Sequence, residues 1–167
     1  MKGITIRGQE WVEHKRIARV ITRAFKGHPH SDGREADIFL RLFNDLETQA
    51  SLVAVAWPGR IVGHILFSEV MIGGEYCNWC GLGPLSVLPR WQGRGIGSAL
   101  VEEGLAYLRS DDWNGCVVLG DPAFYGRFGF RHDPRLVYPG PPPEYFQRIV
   151  FTGPEPAGEV RYVPVFG

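Results

Sequence analysis

The chain has 167 residues, of which 44% are hydrophobic and 22% are charged. Eighteen basic and eighteen acidic residues cancel, so no overall charge attracts nucleic acid or an anionic membrane, and we expect neither partner. No uncharged apolar run reaches the roughly 18 residues of a membrane span, and the first residues form no apolar signal region. We therefore expect a cytoplasmic protein with a single domain over residues 1–167 and a continuous apolar core.

Hydrophobic periodicity in the first half of the chain predicts one strand, two helices and an antiparallel β-meander. Apolar residues recur near helical spacing from Val12 to Phe25, and Ile38, Leu42 and Leu46 fall on one face of a second helix. The predicted elements are a strand over Ile4–Arg7, a first helix ending at Phe25, a second helix over Arg34–Leu46, and strands over Leu52–Trp57, Ile61–Met71 and about Tyr76–Leu88.

The most informative segment is Leu82–Leu100, which reads LGPLSVLPRWQGRGIGSAL and runs from an apolar strand through a glycine-rich turn into an amphipathic helix. The first N–H groups of a helix are unpaired, and glycines let the preceding loop turn them toward an anion. Arg94 adds a positive charge nearby. The spacing Gln92-x-x-Gly95-x-Gly97 is neither the Walker lysine loop nor the dinucleotide-binding glycine pattern. The segment therefore predicts a phosphate-binding loop of another kind.

Beyond this loop the pattern predicts a helix, a parallel strand and two closing strands. Val117–Gly120 has the apolar character of a parallel strand, whereas Pro139–Pro143 lacks backbone donors and is predicted to be an exposed connector. Strands over Tyr145–Phe151 and Val160–Phe166 complete a mixed α+β sheet. The helix after the loop is predicted to bury one stripe, formed by Ile96, Leu100, Val101, Leu105 and Leu108.

The cysteines and one histidine pair give only a weak indication of a metal or redox site. Cys77, Cys80 and Cys116 are an odd set, which fits reduced thiols. A single Cys-x-x-Cys has no second half here, and residues three apart on a strand point to opposite faces. His28 and His30 are separated by a proline, with no third ligand evident, so a polar loop is favoured. We expect no metal.

Two ordered motifs resemble those of the GNAT N-acetyltransferases. The loop matches the family's Gln/Arg-x-x-Gly-x-Gly/Ala sequence, and Ala123–Phe130, reading AFYGRFGF, is similar to its Tyr-x-x-x-Gly-Phe segment. The order of predicted elements also matches that family along most of the chain. The resemblance implies an α+β, three-layer fold, with a mixed, mostly antiparallel sheet, a central splayed pair of parallel strands, and flanking helices.

Pro84 gives this resemblance a physical basis, because proline inside an apolar central strand removes a ladder donor. A distortion at Gly83–Pro84 would leave the following backbone unpaired toward the strand at Val117–Leu119. In the family, such a splay receives the pantetheine arm of acetyl-CoA, and the loop beyond it binds the pyrophosphate. The residues that the resemblance assigns to acetyl-CoA are Leu85, Ser86, Val87, Gln92, Gly93, Arg94, Gly95, Ile96, Gly97, Ser98 and Phe124.

Acetyl transfer to an amine needs a polarised carbonyl, a proton for the departing thiolate and a neutral amine. The backbone N–H of Val87 is the predicted polariser. Tyr125 matches the family tyrosine that protonates the thiolate, although packing in an aromatic cluster also explains it. Family members with a strand glutamate as base would place it at Gly81. A hairpin folded about 73–74 sets His64 opposite Gly83, so His64 is the candidate base, and proton loss to water is the alternative.

The acceptor is predicted to be a primary amine, on a small molecule or a protein, that enters beside Lys26–Gly33 and the late strands. Asp32, Asp37 and Glu69 could receive a cationic amine, and solvated surface charge explains them equally well. A catalytically silent acetyl-CoA sensor or scaffold is the second hypothesis. A nucleotide-binding regulatory domain is disfavoured because the loop lacks the lysine that such sites use. A homodimer is left open.

Overall fold

The computed structural model describes residues 1–44 and 48–162. The helices in this part of the chain are α1 (His14–Phe25), α2 (Glu35–Asn44), α3 (Ile96–Ser110) and the short α4 (Pro122–Tyr125). The strands are β1 (Ile4–Gly8), β2 (Thr48–Ala56), β3 (Arg60–Ile72), β4 (Glu75–Val87), β5 (Gly115–Leu119), β6 (Arg131–His132), β7 (Leu136–Val137), β8 (Phe146–Val150) and β9 (Gly158–Tyr162). None of the helices within these ranges combines the length and apolar character needed to cross a membrane.

The main sheet has the order β1-β2-β3-β4-β5-β8-β6, and β9 joins the end of β3 to β7. Neighbours along this path are antiparallel except for β4 and β5, which run parallel at its centre. The predicted mixed, mostly antiparallel sheet with one central parallel pair is therefore confirmed.

Helices cover both faces of this sheet. On one face, a Cβ at Gly63 would lie 3.1 Å from Leu100 and 3.2 Å from Ile96, both on α3. The next residue, His64, points to the opposite face, where the Phe39 ring of α2 lies 5.0 Å from its imidazole. The three-layer arrangement follows, and the predicted apolar stripe of α3 is buried at every position.

Most predicted elements are found within a few residues of their expected bounds. The second helix ends at Asn44, and the predicted position Leu46 lies outside the described residues. Strand β9 extends to Tyr162, the last described residue. Residues 163–166 of the predicted closing strand also lie outside the described residues. Strands β6 and β7 were not predicted, because two residues are too few to show a periodic pattern.

Strand β4 is irregular, and this changes the predicted hairpin register. Ile72 pairs with Glu75 next to the turn, but two bulges intervene before His64 pairs with Ser86. One bulge contains Asn78, whose φ of 64° lies in the left-handed region, and the other lies at Gly83–Pro84. The prediction that His64 lies opposite Gly83 is therefore wrong, because the extra residues of β4 shift the register by three.

A partly buried ion network anchors the late segment of the chain. Asp133, which is 7% exposed, accepts hydrogen bonds from Arg135 at 2.7 Å and from Arg148 of β8 at 3.2 Å. Glu155 accepts from the same two guanidinium groups. Hydrogen bonding to Arg135 is the main reason that the pKa of Asp133 lies well below its usual range. This network holds the connection between β6 and β7 against β8.

Gly104 on α3 provides a test of how closely the helix packs on the sheet. A Cβ at this position would overlap the Phe67 ring of β3. Overpacking of this kind costs about 1–3 kcal/mol, which exceeds the ~1 kcal/mol that alanine gains over glycine in a helix. We therefore expect Gly104→Ala to lower the free energy of unfolding, measured by urea denaturation.

The matched control is Gly97→Ala on the same helix, where a Cβ would make only ordinary contacts at 3.7 Å or more. This control should be at least as stable as the wild type, and more stable by up to ~1 kcal/mol, because alanine favours the helix and meets no clash there. Equal stability of the two variants would contradict the close approach of α3 to β3.

Candidate active site

A cleft of about 650 Å³ lies where the end of β4 meets the glycine loop and the start of α3. Helices α1 and α4 complete its walls. The residues that line it are Ala24, Phe25, His28, Leu85, Val87, Trp91, Gln92, Gly93, Gly95, Ile96, Gly97, Ser98, Phe124 and Arg127. Most of the residues predicted to contact a cofactor are therefore brought together in one place.

The glycine loop has the geometry of an anion site at a helix N-terminus. Gly93 and Gly95 have φ values of 74° and 83°, which a side chain would strain, and no atom lies within 4 Å of a Cβ built on either. Gly95 caps α3, so the helix begins at Ile96 with its first N–H groups at the cleft. The Gln92 side chain donates to the Val87 carbonyl at 3.0 Å and ties the loop to β4.

The end of β4 offers backbone groups to the same cleft. The Leu88 N–H donates to the Val62 carbonyl at 2.9 Å, which marks a hydrogen-bonded pair with β3. Because bonded and non-bonded pairs alternate along an antiparallel ladder, the N–H groups of Val87 and Leu85 point away from β3. On that side, the pairing of β4 with β5 ends at Leu82, as predicted. These amides therefore face the opening between the two parallel strands.

Tyr125, at the end of α4, is buried and does not itself line the cleft, but it lies next to Phe124, which does. The Asp121 carboxylate caps α4 by accepting from the Ala123 N–H at 2.9 Å, and a Cβ at Gly120 would overlap the Tyr125 ring. The Phe124 ring packs edge-on against it at 4.9 Å. Burial raises the pKa of Tyr125, and the neighbouring Cys116 adds to that increase. The phenol therefore keeps its proton through the neutral range and can act as a donor.

Ser86 and Arg94 do not line the cleft, so their predicted contacts with a cofactor stay predictions. Ser86 is 1% exposed and shares the face of its cross-strand partner His64. The Arg94 guanidinium stacks over the Trp91 ring, 4.9 Å from its centre. The cation that lines the cleft is instead Arg127, which donates to the Ser98 hydroxyl at 3.3 Å.

His64 is completely buried between β2 and α2. Its Nε2 lies 2.8 Å from the Ser51 hydroxyl, which in turn donates to Gln9, and Nδ1 has no hydrogen-bond partner among the described residues. Desolvation lowers the pKa of His64 to about 3, so the imidazole is neutral in the physiological range. Gly81 pairs with Ser68, which lies four residues after His64 on β3. His64 is therefore displaced from the position of Gly81 by roughly 13 Å along the strand.

Gly81 is closely covered by the aromatic ring of Tyr162. This is the position at which family members with a strand glutamate would carry that residue. A Cβ there would lie 2.9 Å from Cδ1 of Tyr162 and closer still to its Cε1, and 3.0 Å from Val70. Burial raises the pKa of Tyr162, and the neighbouring Tyr138 raises it further. The space of a strand glutamate thus holds a neutral phenol instead.

The structure also adds five cleft residues that the sequence reasoning did not identify, namely Ala24, Phe25, His28, Trp91 and Arg127. Arg127 could have been found, because it stands inside the AFYGRFGF segment as its one cation. The other four come from α1, its following loop and a 3-10 turn before the glycine loop, and no local pattern relates them to the cleft.

The three cysteines are free thiols, and no metal-binding cluster is found among the described residues. Cys80 and Cys116 are buried, and desolvation raises the pKa of both thiols. Cys77, Cys80 and Cys116 are free thiols. Across residues 1–44 and 48–162, no group of three His, Cys, Asp or Glu side chains is placed to hold a metal ion.

Comparison with known proteins gives one consistent family. The model of the acetyltransferase (GNAT) family matches residues 15–130. YhbS of Escherichia coli K12, described as an uncharacterized N-acetyltransferase, is 39% identical over 114 residues, which is 64% of this chain and 68% of that protein. YjhQ of the same organism, described in the same way, is 36% identical over 117 residues, covering 68% of this chain and 62% of YjhQ.

Two solved structures share the whole architecture. A GNAT family acetyltransferase from Brucella melitensis, crystallised with acetyl-CoA, is 40% identical and superposes with a TM-score of 0.88 over 98% of each chain. Escherichia coli YhbS in complex with CoA is 31% identical, with a TM-score of 0.89 over 98% of this chain and 91% of that one.

The neutral, buried imidazole of His64 makes stability depend on pH. Its pKa is about 3 in the folded chain and 6.5 without burial, so between these values only the unfolded chain binds the proton. Stability is therefore lost as the pH falls below 6.5. Between pH 7 and pH 5, we expect the free energy of unfolding of the wild type to fall by about 2 kcal/mol more than that of His64→Gln. Urea denaturation at both pH values measures this.

The control for this experiment is His132→Gln, which removes an exposed imidazole. That variant should keep the wild-type dependence on pH. If His64→Gln also kept it, the neutral state of the buried imidazole would be contradicted.

Proposed function

We propose that this chain, which belongs to the acetyltransferase (GNAT) family, transfers the acetyl group of acetyl-CoA to a primary amine by direct attack. The observation that carries the proposal is the convergence of the glycine loop at α3 and the open N–H groups of β4 on one cleft, with Tyr125 packed against the Phe124 ring that lines it. The two homologous structures with CoA ligands support the choice of acyl donor. Because the strands from Ile4 to Tyr162 connect in one sheet, we also propose that residues 1–167 act as one domain.

Binding of acetyl-CoA is proposed to use charge at one end of the cleft and backbone pairing at the other. The N–H groups at Gly95–Ser98 suit a pyrophosphate, and Arg127 adds a guanidinium at the same wall. The outward-facing backbone of Leu85 suits an amide of the pantetheine arm, which would pair with β4 as an added strand, and the Val87 N–H is left for the thioester. No metal is needed for these contacts.

The proposed chemistry uses one backbone amide and one side chain. The Val87 N–H donates to the thioester carbonyl oxygen and stabilises the negative charge that develops there. The neutral amine nitrogen attacks the carbonyl carbon, the new C–N bond forms, and the C–S bond breaks. Tyr125, which its raised pKa keeps protonated across the neutral range, gives its proton to the departing sulfur.

The amine proton is proposed to leave to water rather than to a strand residue. The Tyr162 ring fills the space beside Gly81 that a glutamate would need. His64, the sequence-based candidate base, is fully buried with Nε2 bonded to Ser51 and its pKa lowered to about 3, so we propose a structural role for it. The rate should then rise with pH as the fraction of neutral amine increases.

Gly95→Val tests the proposed pyrophosphate site. The valine side chain would occupy the open space in front of the helix N-terminus and strain a residue with φ of 83°. We expect acetyl-CoA to bind at least tenfold more weakly, measured by isothermal titration calorimetry.

The matched control for Gly95→Val is Gly3→Val. Gly3 has nearly the same φ, 81°, and equally open surroundings, but it lies before β1, away from the cleft. This control should bind acetyl-CoA like the wild type. Unchanged affinity in Gly95→Val would remove the loop from the binding site.

Tyr125→Phe tests the proposed acid. We expect retained affinity for acetyl-CoA and a fall of about a hundredfold or more in amine-dependent release of free thiol, because general acid catalysis typically contributes that much. Tyr76→Phe, which alters an exposed phenol at the far hairpin, should keep full activity. Full activity of Tyr125→Phe would reject the acid role. If the wild type binds acetyl-CoA but shows no turnover, the alternative of a catalytically silent sensor would be favoured instead.

A further inference from the structure

A second cavity, of about 210 Å³, lies on the other side of the β4 break from the cleft. It borders Gly83 and Pro84, whereas the cleft borders the next residue, Leu85. The side chain of Phe25 lines both. Because the two cavities border adjacent residues of β4, this cavity is the candidate site from which an acceptor would reach an acyl group held at the end of β4.

Most of the cavity wall is apolar or aromatic. Ile38 of α2, Tyr138 and Tyr162 contribute side chains to it. The rings of Tyr138 and Tyr162 meet edge to face at 5.6 Å, and Tyr138 also stacks on Phe146 at 5.2 Å, so its position is fixed from behind. A cavity of about 150 Å³ holds a benzene molecule, so this one has room for a single ring or a short branched chain.

One acidic side chain breaks this apolar wall. Glu35, in the first turn of α2, is half-buried and lines the cavity. Among residues 1–44 and 48–162, no partner forms a hydrogen bond or ion pair with its side chain, and no other charged residue lines this cavity. A carboxylate in apolar surroundings is stabilised by a cation, and an ammonium group would supply one.

We propose that the acceptor is a small primary monoamine with one aromatic or branched aliphatic substituent and no carboxylate. This inference rests on the proposed acetyl transfer and specifies its substrate. Glu35 pairs with the ammonium group at the strand break, and the rings of Tyr138, Tyr162 and Phe25 surround the substituent. The bound ammonium group loses one proton to water before its nitrogen attacks the acetyl carbonyl carbon. A carboxylate on the substrate would meet the negative charge of Glu35, and the second ammonium group of a polyamine would find no second carboxylate among the described residues that line the cavity.

The first test compares kcat/KM for four probes: 2-phenylethylamine, L-phenylalanine, spermidine and a short peptide with one internal lysine. L-Phenylalanine is the matched control, because it differs from 2-phenylethylamine only by the carboxylate. We expect 2-phenylethylamine to exceed each of the others at least tenfold. A higher kcat/KM for any of the other three probes would overturn the proposed substrate class.

The second test uses Glu35→Gln, with Asp37→Asn as its control. Asp37 is also in the first turn of α2, but it is exposed and does not line the cavity. We expect Glu35→Gln to raise KM for 2-phenylethylamine about tenfold or more while KM for acetyl-CoA stays unchanged. Asp37→Asn should leave both unchanged. A lowered kcat with unchanged KM would overturn the binding role of Glu35.

A binding measurement separates this inference from the proposed function. Isothermal titration of 2-phenylethylamine into the protein saturated with CoA should show binding that Glu35→Gln weakens about tenfold or more. If acetyl-CoA binds and another amine is acetylated, the substrate class is wrong and the acetyltransferase proposal stands. If acetyl-CoA does not bind the wild type, the proposed function fails, and the substrate inference fails with it.

Discussion

The site depends on a break in the pairing between β4 and β5. The two strands run side by side only as far as Leu82 and Val118, because the bulge at Gly83–Pro84 then turns β4 away and proline supplies no N–H to continue the ladder. Beyond the bulge, β4 stays bonded to β3 on one side, while the N–H groups of Leu85 and Val87 face the opening on the other. A sheet that is otherwise continuous thus acquires an internal edge, where a ligand can be hydrogen-bonded without disturbing the core.

The two cavities at this edge differ in the chemistry of their walls. The larger one has helix N–H groups and Arg127, which suit phosphate, and the smaller one has aromatic rings and Glu35, which suit an amine. Each set of groups is built by elements on its own side of the break, and Phe25 separates them. Such a division keeps an anionic donor and a cationic acceptor in separate sites that meet only where the acyl group would lie.

Local sequence signals allowed the main features to be predicted. The pairing register of distant strand residues could not be predicted from them. The glycine loop and Pro84 have physical consequences that depend only on neighbouring residues, so the splay and the loop at α3 could be read from the sequence. The position of His64 depended on counting residues through β4, and two bulges invalidated that count. Glu35 and Tyr162 reach the site from α2 and β9, and no spacing along the chain indicates that they meet there.

The close contact between Gly81 and Tyr162 implies that neither residue can be replaced without a compensating replacement of the other. A glutamate at position 81 would displace the ring from β4, and loss of the ring alone would leave a void beside Val70. Each single change should therefore be unfavourable, while the pair could be tolerated, which is strong epistasis. Exchange of the tyrosine for a strand carboxylate one residue at a time would therefore pass through a less stable protein, although the fold itself accommodates either residue pair.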